Sequence, residues 1–232
     1  MTGTDQPVTV AADDERLESL AEFAAGAGHE LNNPVATIVG RVQLLMSDES
    51  DPARRQALAT IAGQAYRIRD MIADVMLFAR PPVCEPQDGD LVEAVDEVIR
   101  GVVDGHSDRE GRVVRSGEGP VPIHADPTQL AIVIGELLTN ALEADREGGR
   151  VDVVVTAGDQ AVLEVRDAGP GLDETERRHL FDPFFSGRQA GRGLGFGLPK
   201  CWRIVTLHGG RIEVETREPT GLSVRVFWPS TN

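Results

Sequence analysis

Residues 191–201 read GRGLGFGLPKC, so that glycine occupies alternate positions just before a helix predicted to begin near Leu198. The glycines are Gly191, Gly193, Gly195 and Gly197. Successive small residues let backbone N–H groups converge on a phosphate at a helix N-terminus. A flexible loop without a ligand has the same pattern. A dinucleotide site of the Rossmann type is excluded, because no βαβ unit surrounds the segment.

Two segments upstream carry further polar candidates. In FDPFFSGR, residues 181–188, Arg188 could add positive charge at a β- or γ-phosphate. In DAGPGL, residues 167–172, a carboxylate ends a predicted strand and is a good acceptor for an exocyclic amine. The glycines of DAGPGL permit close approach of the backbone to a ring, although the same DxGxG pattern also occurs in simple turns.

A fourth segment, ELLTNALEA at 136–144, lies in a helix predicted over 127–146. Glu136 and Asn140 are four residues apart and therefore share one face of that helix. A carboxylate and a carboxamide placed in this way could ligate Mg²⁺ or position a water. An exposed polar pair on a helix has the same spacing, so the segment alone leaves both interpretations open.

The order and spacing of all four segments identify a family. ELLTNALEA resembles the N box of two-component sensor histidine kinases, DAGPGL their first glycine box, LFDPFFSGR their F box and GRGLGFGLPKC their second glycine box. The resemblance covers about residues 91–229 and is to the ATP-binding domain that these kinases share with DNA gyrase B, Hsp90 and MutL. It implies ATP and Mg²⁺ as cofactors.

The resemblance also implies a role for each matching residue. Asn140 would bind Mg²⁺, Asp167 would accept a hydrogen bond from the adenine amine, and Gly169 and Gly171 would lie under the base. The residues implied at the phosphates or in the lid over them are Phe185, Arg188, Gly193, Gly195, Gly197 and Leu198. Glu136 departs from the commonest kinase pattern, which has asparagine there. Gyrase-like ATPases use a glutamate to activate water, so Glu136 is either a metal ligand or a general base.

The N-terminal part of the chain has helical periodicity. Apolar residues recur at spacings of three and four over 14–46 and 55–79, with a turn signal between them. A lone helical hairpin buries too little apolar surface, which predicts an all-α hairpin that forms a four-helix bundle as a homodimer through residues 14–80. The remaining segments, which mix helices with antiparallel strands, predict an α+β two-layer sandwich.

HELNNP, residues 29–34, lies inside the first predicted helix and resembles the H box of the same kinases. The resemblance implies that His29 accepts the phosphoryl group. A neutral imidazole is the nucleophile, and Glu30 can hold or accept the proton of the other ring nitrogen. Asn33 matches the position at which related kinases orient water against an aspartyl-phosphate, which implies a phosphatase activity toward the regulator.

Composition limits the other possibilities. With 41% hydrophobic residues the chain is ordinary for a globular protein, and its net charge of −15 disfavours binding to nucleic acid or to an anionic membrane. No leader or membrane segment is evident, so a cytoplasmic protein, or the cytoplasmic part of a longer sensor, is predicted. The predicted divisions are a polar tail at 1–13, a phosphotransfer domain at 14–80, a linker at 81–90 and an ATP-binding domain at 91–232.

Together these patterns predict an ATP-dependent protein-histidine kinase. It would phosphorylate His29 and pass the phosphoryl group to an aspartate of a response-regulator receiver domain. The alternatives are a dimeric ATPase, or an ATP-binding regulatory scaffold of the same superfamily. Glu136 favours the ATPase and HELNNP disfavours it, while the complete set of motifs argues against a scaffold.

Overall fold

The computed structural model describes residues 14–104, 106, 108–109, 111–117, 119–144, 148–185 and 195–229. Within the first helix, the side chains of residues 14–25, 27 and 29 are outside the described part. The chain divides into two compact units, one ending at Pro82 and the other starting at Val83. None of the helices in the described ranges has the length and apolar content that a membrane crossing requires.

The first unit is a helical hairpin made of α1 (Asp14–Asp48) and α2 (Pro52–Ala79), as the periodicity predicts. The side chain of Asp51 caps α2 by accepting hydrogen bonds from two backbone N–H groups of its first turn. A proline at the first helical position removes an N–H that would have no partner there, so it costs little. α1 continues through Pro34 as one helix.

The apolar residues of the hairpin fall into two sets. One set is packed between the helices and consists of Val35, Val39, Val42, Ala65, Ile72 and Met76. Gly28 approaches α2 so closely that a Cβ there would lie 2.6 Å from the Met76 sulfur. The other set is exposed and consists of Leu31, Ile38, Leu44, Leu45, Ile61 and Ile68. The apolar residues that recur at spacings of three and four on each helix therefore belong partly to a packed stripe and partly to an exposed one.

The second unit is built on a five-stranded sheet with a small two-stranded ribbon. Its elements in chain order are β1 (Gln87–Asp90), α3 (Leu91–Val103), β2 (Val113–Ser116), β3 (Pro122–Ala125), α4 (Pro127–Ala144), β4 (Val151–Thr156), β5 (Ala161–Arg166), α5 (Glu174–Arg178), α6 (Gly197–Leu207), β6 (Arg211–Thr216) and β7 (Leu222–Trp228). The sheet order is β2-β4-β5-β7-β6, in which only the β2–β4 pair is parallel.

Helix α4 lies at the centre of the helical layer, in contact with α3, α6, β4 and β5. Alternate residues of β4 and β5 are buried beneath it, among them Val153 and Leu163, which have no exposed surface. This alternation is expected of a strand with one face toward a hydrophobic core. The predicted α+β two-layer sandwich is confirmed, and its central helix is the one that carries ELLTNALEA.

Residues 87–90 differ from the prediction, which placed them at the end of a linker over 81–90. They form β1 and pair antiparallel with β3. The sequence QDGD has no apolar alternation, so the usual strand signal is missing. Asp90 has a further role, because its carboxylate accepts hydrogen bonds from the N–H groups of Val92 and Val121, both at 2.9 Å, and thereby caps α3.

Asp126 fixes the N-terminus of α4 to its surroundings. Its carboxylate accepts hydrogen bonds from the N–H groups of Thr128, Gln129 and Glu85 at 2.9, 3.1 and 3.0 Å, and its own N–H donates to Nε2 of His208 at 3.0 Å. Burial by itself would raise the pKa of this carboxyl group, but the three N–H donors and the nearby His208 together lower it below its usual value.

We expect Asp126→Ala to destabilise the second unit by about 1–2 kcal/mol at neutral pH, because α4 loses its cap. The folded-state pKa of Asp126 lies below the unfolded value of about 4, so its contribution is present at neutral pH and is lost as the pH falls through the folded pKa. The difference between the variant and the wild type should therefore shrink below about pH 4. Urea unfolding at several pH values, followed by the fluorescence of Trp202 and Trp228, measures it.

Asp159→Ala is the matched control, since this aspartate lies exposed in the turn between β4 and β5. It should leave the free energy of unfolding unchanged to within about 0.5 kcal/mol. A difference between Asp126→Ala and the wild type that stays constant or widens on acidification would contradict the prediction.

Candidate functional site

The side chains of Glu136 and Asn140 meet the first residue of α6. A Cβ at Gly197 would lie 2.9 Å from Nδ2 of Asn140 and 3.0 Å from Oε2 of Glu136. A larger residue at this position would crowd both side chains and force them to shift, so glycine allows α6 to begin in close contact with them. The predicted pair on α4 and the last glycine of the alternating segment therefore lie at one place.

Lys200 also belongs to this place, although it was not among the predicted site residues. Its Nζ lies 2.5 Å from Oε1 of Glu136, and its side chain is 7% exposed against 28% for that glutamate. Lys200 is the only lysine in the 232 residues. A single lysine one turn after the glycine segment is a signal that the sequence does contain.

A second group of site residues surrounds Asp167, which directly follows β5. The residue is 5% exposed, and its Oδ1 accepts hydrogen bonds from the N–H groups of Gly169 at 2.8 Å and Leu222 at 3.3 Å. A Cβ at Gly169 would lie 2.9 Å from the Cβ of Ala144. Since Ala144 is about one helical turn beyond Asn140 on α4, this helix supports both groups.

Two residues that support Asp167 were missed by the motif comparison. Gly221 has a φ of 112°, and a Cβ there would lie 2.2 Å from the Asp167 carbonyl oxygen. That carbonyl also accepts a hydrogen bond from Arg217 at 3.1 Å. These contacts join residues about fifty positions apart, so no local pattern in the sequence indicates them.

The F box and the second glycine box are in contact. Gly195 has a φ of 69°, and a Cβ there would lie 2.1 Å from the carbonyl oxygen of Phe185. The ring of Phe184 packs edge-on against that of Phe196, with centroids 4.7 Å apart. Leu198 is half-buried against the core of the unit. The structure thus places the phenylalanines of the F box against residues within the glycine-rich segment.

Other predicted site residues are placed differently. Gly171 lies in the loop after Asp167, where a Cβ would come 3.1 Å from the Thr216 methyl group. Glu30 and Asn33 are exposed on α1. Three candidates lie outside the description: Arg188, Gly193 and the side chain of His29.

The described side chains could supply only part of the ligands that a cation needs. Within the described residues, no group of three or more His, Cys, Asp or Glu side chains is placed to hold a metal ion. Glu136 and Asn140 supply two side-chain oxygens next to Gly197, which suits a cation that takes its remaining ligands from water and from a bound phosphate.

Comparisons with known proteins match both units. Residues 19–82 match the family model of the His Kinase A (phospho-acceptor) domain. Residues 125–232 match the model of the histidine kinase-, DNA gyrase B-, and HSP90-like ATPase. The two matches follow each other in the order predicted from the motifs.

Similar proteins include the signal transduction histidine-protein kinase AtoS of Escherichia coli, which is 30% identical over 218 residues. That match covers 93% of this chain and 36% of AtoS. Sporulation kinase E of Bacillus subtilis is 29% identical, with 93% of this chain and 29% of that kinase covered. The chain thus spans about a third of the length of these relatives.

Solved structures of histidine kinases have the same fold. Histidine kinase ThkA in complex with the response regulator protein TrrA has a TM-score of 0.65 and 26% identity, covering 94% of this chain and 64% of that one. Full-length ShkA in complex with AMPPNP has a TM-score of 0.77 at 20% identity, covering 91% and 47%. This chain belongs to the sensor histidine kinase family and contains the catalytic core of such a kinase, a phospho-acceptor domain followed by an ATPase domain.

Proposed function

We propose that the chain transfers the γ-phosphoryl group of ATP to His29 and from there to an aspartate of a response-regulator receiver domain. The observation that carries the proposal is the arrangement along α4. One end of this helix adjoins a buried carboxylate suited to an adenine amine. About one and two turns away, Asn140 and Glu136 supply oxygen ligands beside a glycine. HELNNP lies in the same chain.

At the adenine end, Asp167 is the proposed acceptor for the exocyclic amine. Its Oδ1 is already held by the N–H groups of Gly169 and Leu222, which fix the orientation of the carboxylate. A buried, oriented carboxylate discriminates strongly between nucleotide bases. A base that offers no hydrogen-bond donor at this point does not compensate the carboxylate for the water it loses on binding. Gly169 and Gly171 keep the neighbouring surface free of side chains.

At the phosphate end, Asn140 and Glu136 are the proposed ligands of Mg²⁺. The donor set fits, since both side chains offer hard oxygen atoms and these lie together at the first residue of α6. When bound, Mg²⁺ would offset negative charge on the β- and γ-phosphates. Gly193, Gly195, Gly197 and Leu198 are proposed to bring backbone N–H groups to the phosphates, with Arg188 adding charge and Phe185 anchoring the lid.

On α1, His29 is the proposed nucleophile. Glu30 is proposed to hold or accept the proton on the other ring nitrogen of His29. Asn33, one turn further along, is proposed to position water for hydrolysis of the aspartyl-phosphate of the regulator. Glu30 and Asn33 are both exposed, as groups that must meet a second protein have to be. The ThkA structure, which contains a response regulator, supports a receiver domain as the partner.

Incubation of the whole chain with γ-labelled ATP and Mg²⁺ tests the proposal. We expect stoichiometric label that is lost in acid and stable in base, as phosphohistidine is, and that passes to the aspartate of a purified receiver domain. Label that survives acid, or release of phosphate without any labelled protein, would contradict the proposal and favour the ATPase alternative.

The exposed apolar residues of the hairpin support a homodimer. Ile61 and Ile68 of α2 are 48% and 45% exposed, and Leu31 and Ile38 of α1 are similarly open. Exposed apolar surface of this size on a two-helix hairpin marks an interaction site, and the match to a phospho-acceptor domain favours a second copy of the chain. We propose that these residues pack against their counterparts in a four-helix bundle.

We expect Ile68→Glu to dissociate the dimer, with an increase in its dissociation constant of about 100-fold or more, because a charge would be buried at the interface. Sedimentation velocity over a range of protein concentrations measures the change. Ala59→Glu is the matched control, since Ala59 is exposed on another side of α2 by helical periodicity. Equal dissociation of both variants, or of neither, would contradict the proposed interface.

A further inference from the structure

We infer that Lys200 is a positioning residue that keeps Glu136 from activating water, so that the γ-phosphoryl group goes to histidine rather than to water. The inference rests on the function proposed above. It starts from the ion pair between Nζ of Lys200, which is buried, and Oε1 of the half-buried Glu136; the two atoms are 2.5 Å apart.

The two oxygens of the Glu136 carboxylate have different neighbours. Oε1 accepts from the Lys200 ammonium, whereas Oε2 faces the backbone of Gly197 on the side of Asn140. The lysine therefore fixes the rotation of the carboxylate as well as its position. Oε2 is directed to the place proposed for the cation. Oε1 is occupied by the Lys200 ammonium and is not available to a water molecule.

Burial makes this pairing persistent. The Lys200 side chain is only 7% exposed, so its ammonium cannot turn into water to be solvated. Removing a carboxylate from a buried cation leaves that cation uncompensated, which is strongly unfavourable. Histidines aside, the other basic residues of the chain are arginines, and lysine supplies instead a compact point charge that fits against a single oxygen.

The chemistry of the two competing reactions shows why the pairing matters. In hydrolysis, a water oxygen bonds to the γ-phosphorus, the bond to the β–γ bridging oxygen breaks, ADP leaves, and a proton of the water passes to a base. In transfer to protein, an imidazole nitrogen forms the new bond, ADP leaves in the same way, and the imidazole proton stays on the other ring nitrogen, shared with Glu30. Only the first reaction needs a base at the phosphate. An oxygen that already accepts from an ammonium is a poor acceptor for the proton of water.

Two neutral variants, Lys200→Met and Lys200→Gln, test the inference in a His29→Gln background, where no phosphoacceptor competes. We expect both to release inorganic phosphate from MgATP about tenfold faster than the His29→Gln parent, because a freed carboxylate becomes available as a base. Adding Glu136→Gln should cancel the increase. Lys200→Arg, which restores a cation, should bring the rate back toward that of the parent.

Binding of a fluorescent ATP analogue, with and without Mg²⁺, is measured for every variant and gives a result independent of turnover. The inference is overturned if the neutral variants bind ATP but release phosphate no faster, or if their faster release survives Glu136→Gln. It is also overturned if neither neutral variant binds ATP, since Lys200 would then be a binding residue. Failure of the proposed function is distinguishable, because it appears as absence of label on a chain with His29 and Lys200 both intact.

Discussion

His29→Gln is expected to reduce the incorporation of phosphate from γ-labelled ATP by at least about 100-fold, because the nucleophile is removed and glutamine has no comparable lone pair. ATP binding should remain within about twofold of the wild type, since the groups proposed to bind the nucleotide all belong to the other unit. Filter-bound radioactivity measures the first quantity, and titration with a fluorescent ATP analogue measures the second.

Another histidine serves as the matched control for this experiment. His124 is exposed on β3 and its Nδ1 lies 2.7 Å from a carboxylate oxygen of Asp88, so His124→Gln removes an accessible imidazole that has no proposed role in phosphotransfer. We expect His124→Gln to incorporate label as the wild type does. Label that persists in His29→Gln, or that disappears equally from both variants, would place the phosphoacceptor elsewhere or show a general loss of function.

The sequence was most informative where a function depends on spacing along one element. Glu136 and Asn140 are four residues apart, and helical geometry alone places them on one face. The alternation of β4 and β5 predicts their buried sides in the same way. These predictions succeed because the cause, a repeating backbone geometry, lies entirely within a few consecutive residues.

Predictions were incomplete where a contact joins residues that are distant in sequence. They were also incomplete where one apolar pattern includes residues of both a packed and an exposed surface. The pair formed by Lys200 and Glu136 spans 64 positions, so nothing near either residue indicates the other. The apolar spacing of α2 does not distinguish the packed Ile72 from the exposed Ile68, because residues four apart share a face and the partner of each depends on tertiary packing. β1 was missed because its pairing partner, not its own polar sequence, makes it a strand.

Asp167→Asn should weaken ATP binding by about 10- to 100-fold, the loss expected when a hydrogen bond to a charged acceptor is removed. The substitution keeps an oxygen that can accept from the N–H groups of Gly169 and Leu222, so the loop should retain its conformation. The amide nitrogen then takes the place of the other carboxylate oxygen and presents a donor instead of an acceptor. The affinity for ATP, measured by isothermal titration, gives the size of the loss.

Inosine triphosphate separates a role in base recognition from a structural one. It carries a carbonyl oxygen where ATP has the exocyclic amine, so an asparagine donor at position 167 complements it and a carboxylate repels it. We therefore expect Asp167→Asn to bind inosine triphosphate more tightly than the wild type does, while binding ATP more weakly. Asp159→Asn, an exposed substitution in the β4–β5 turn, should change neither affinity. An equal loss of affinity for both nucleotides in Asp167→Asn would show that the aspartate supports the loop and does not read the base, because only direct contact with the purine can move the two affinities in opposite directions.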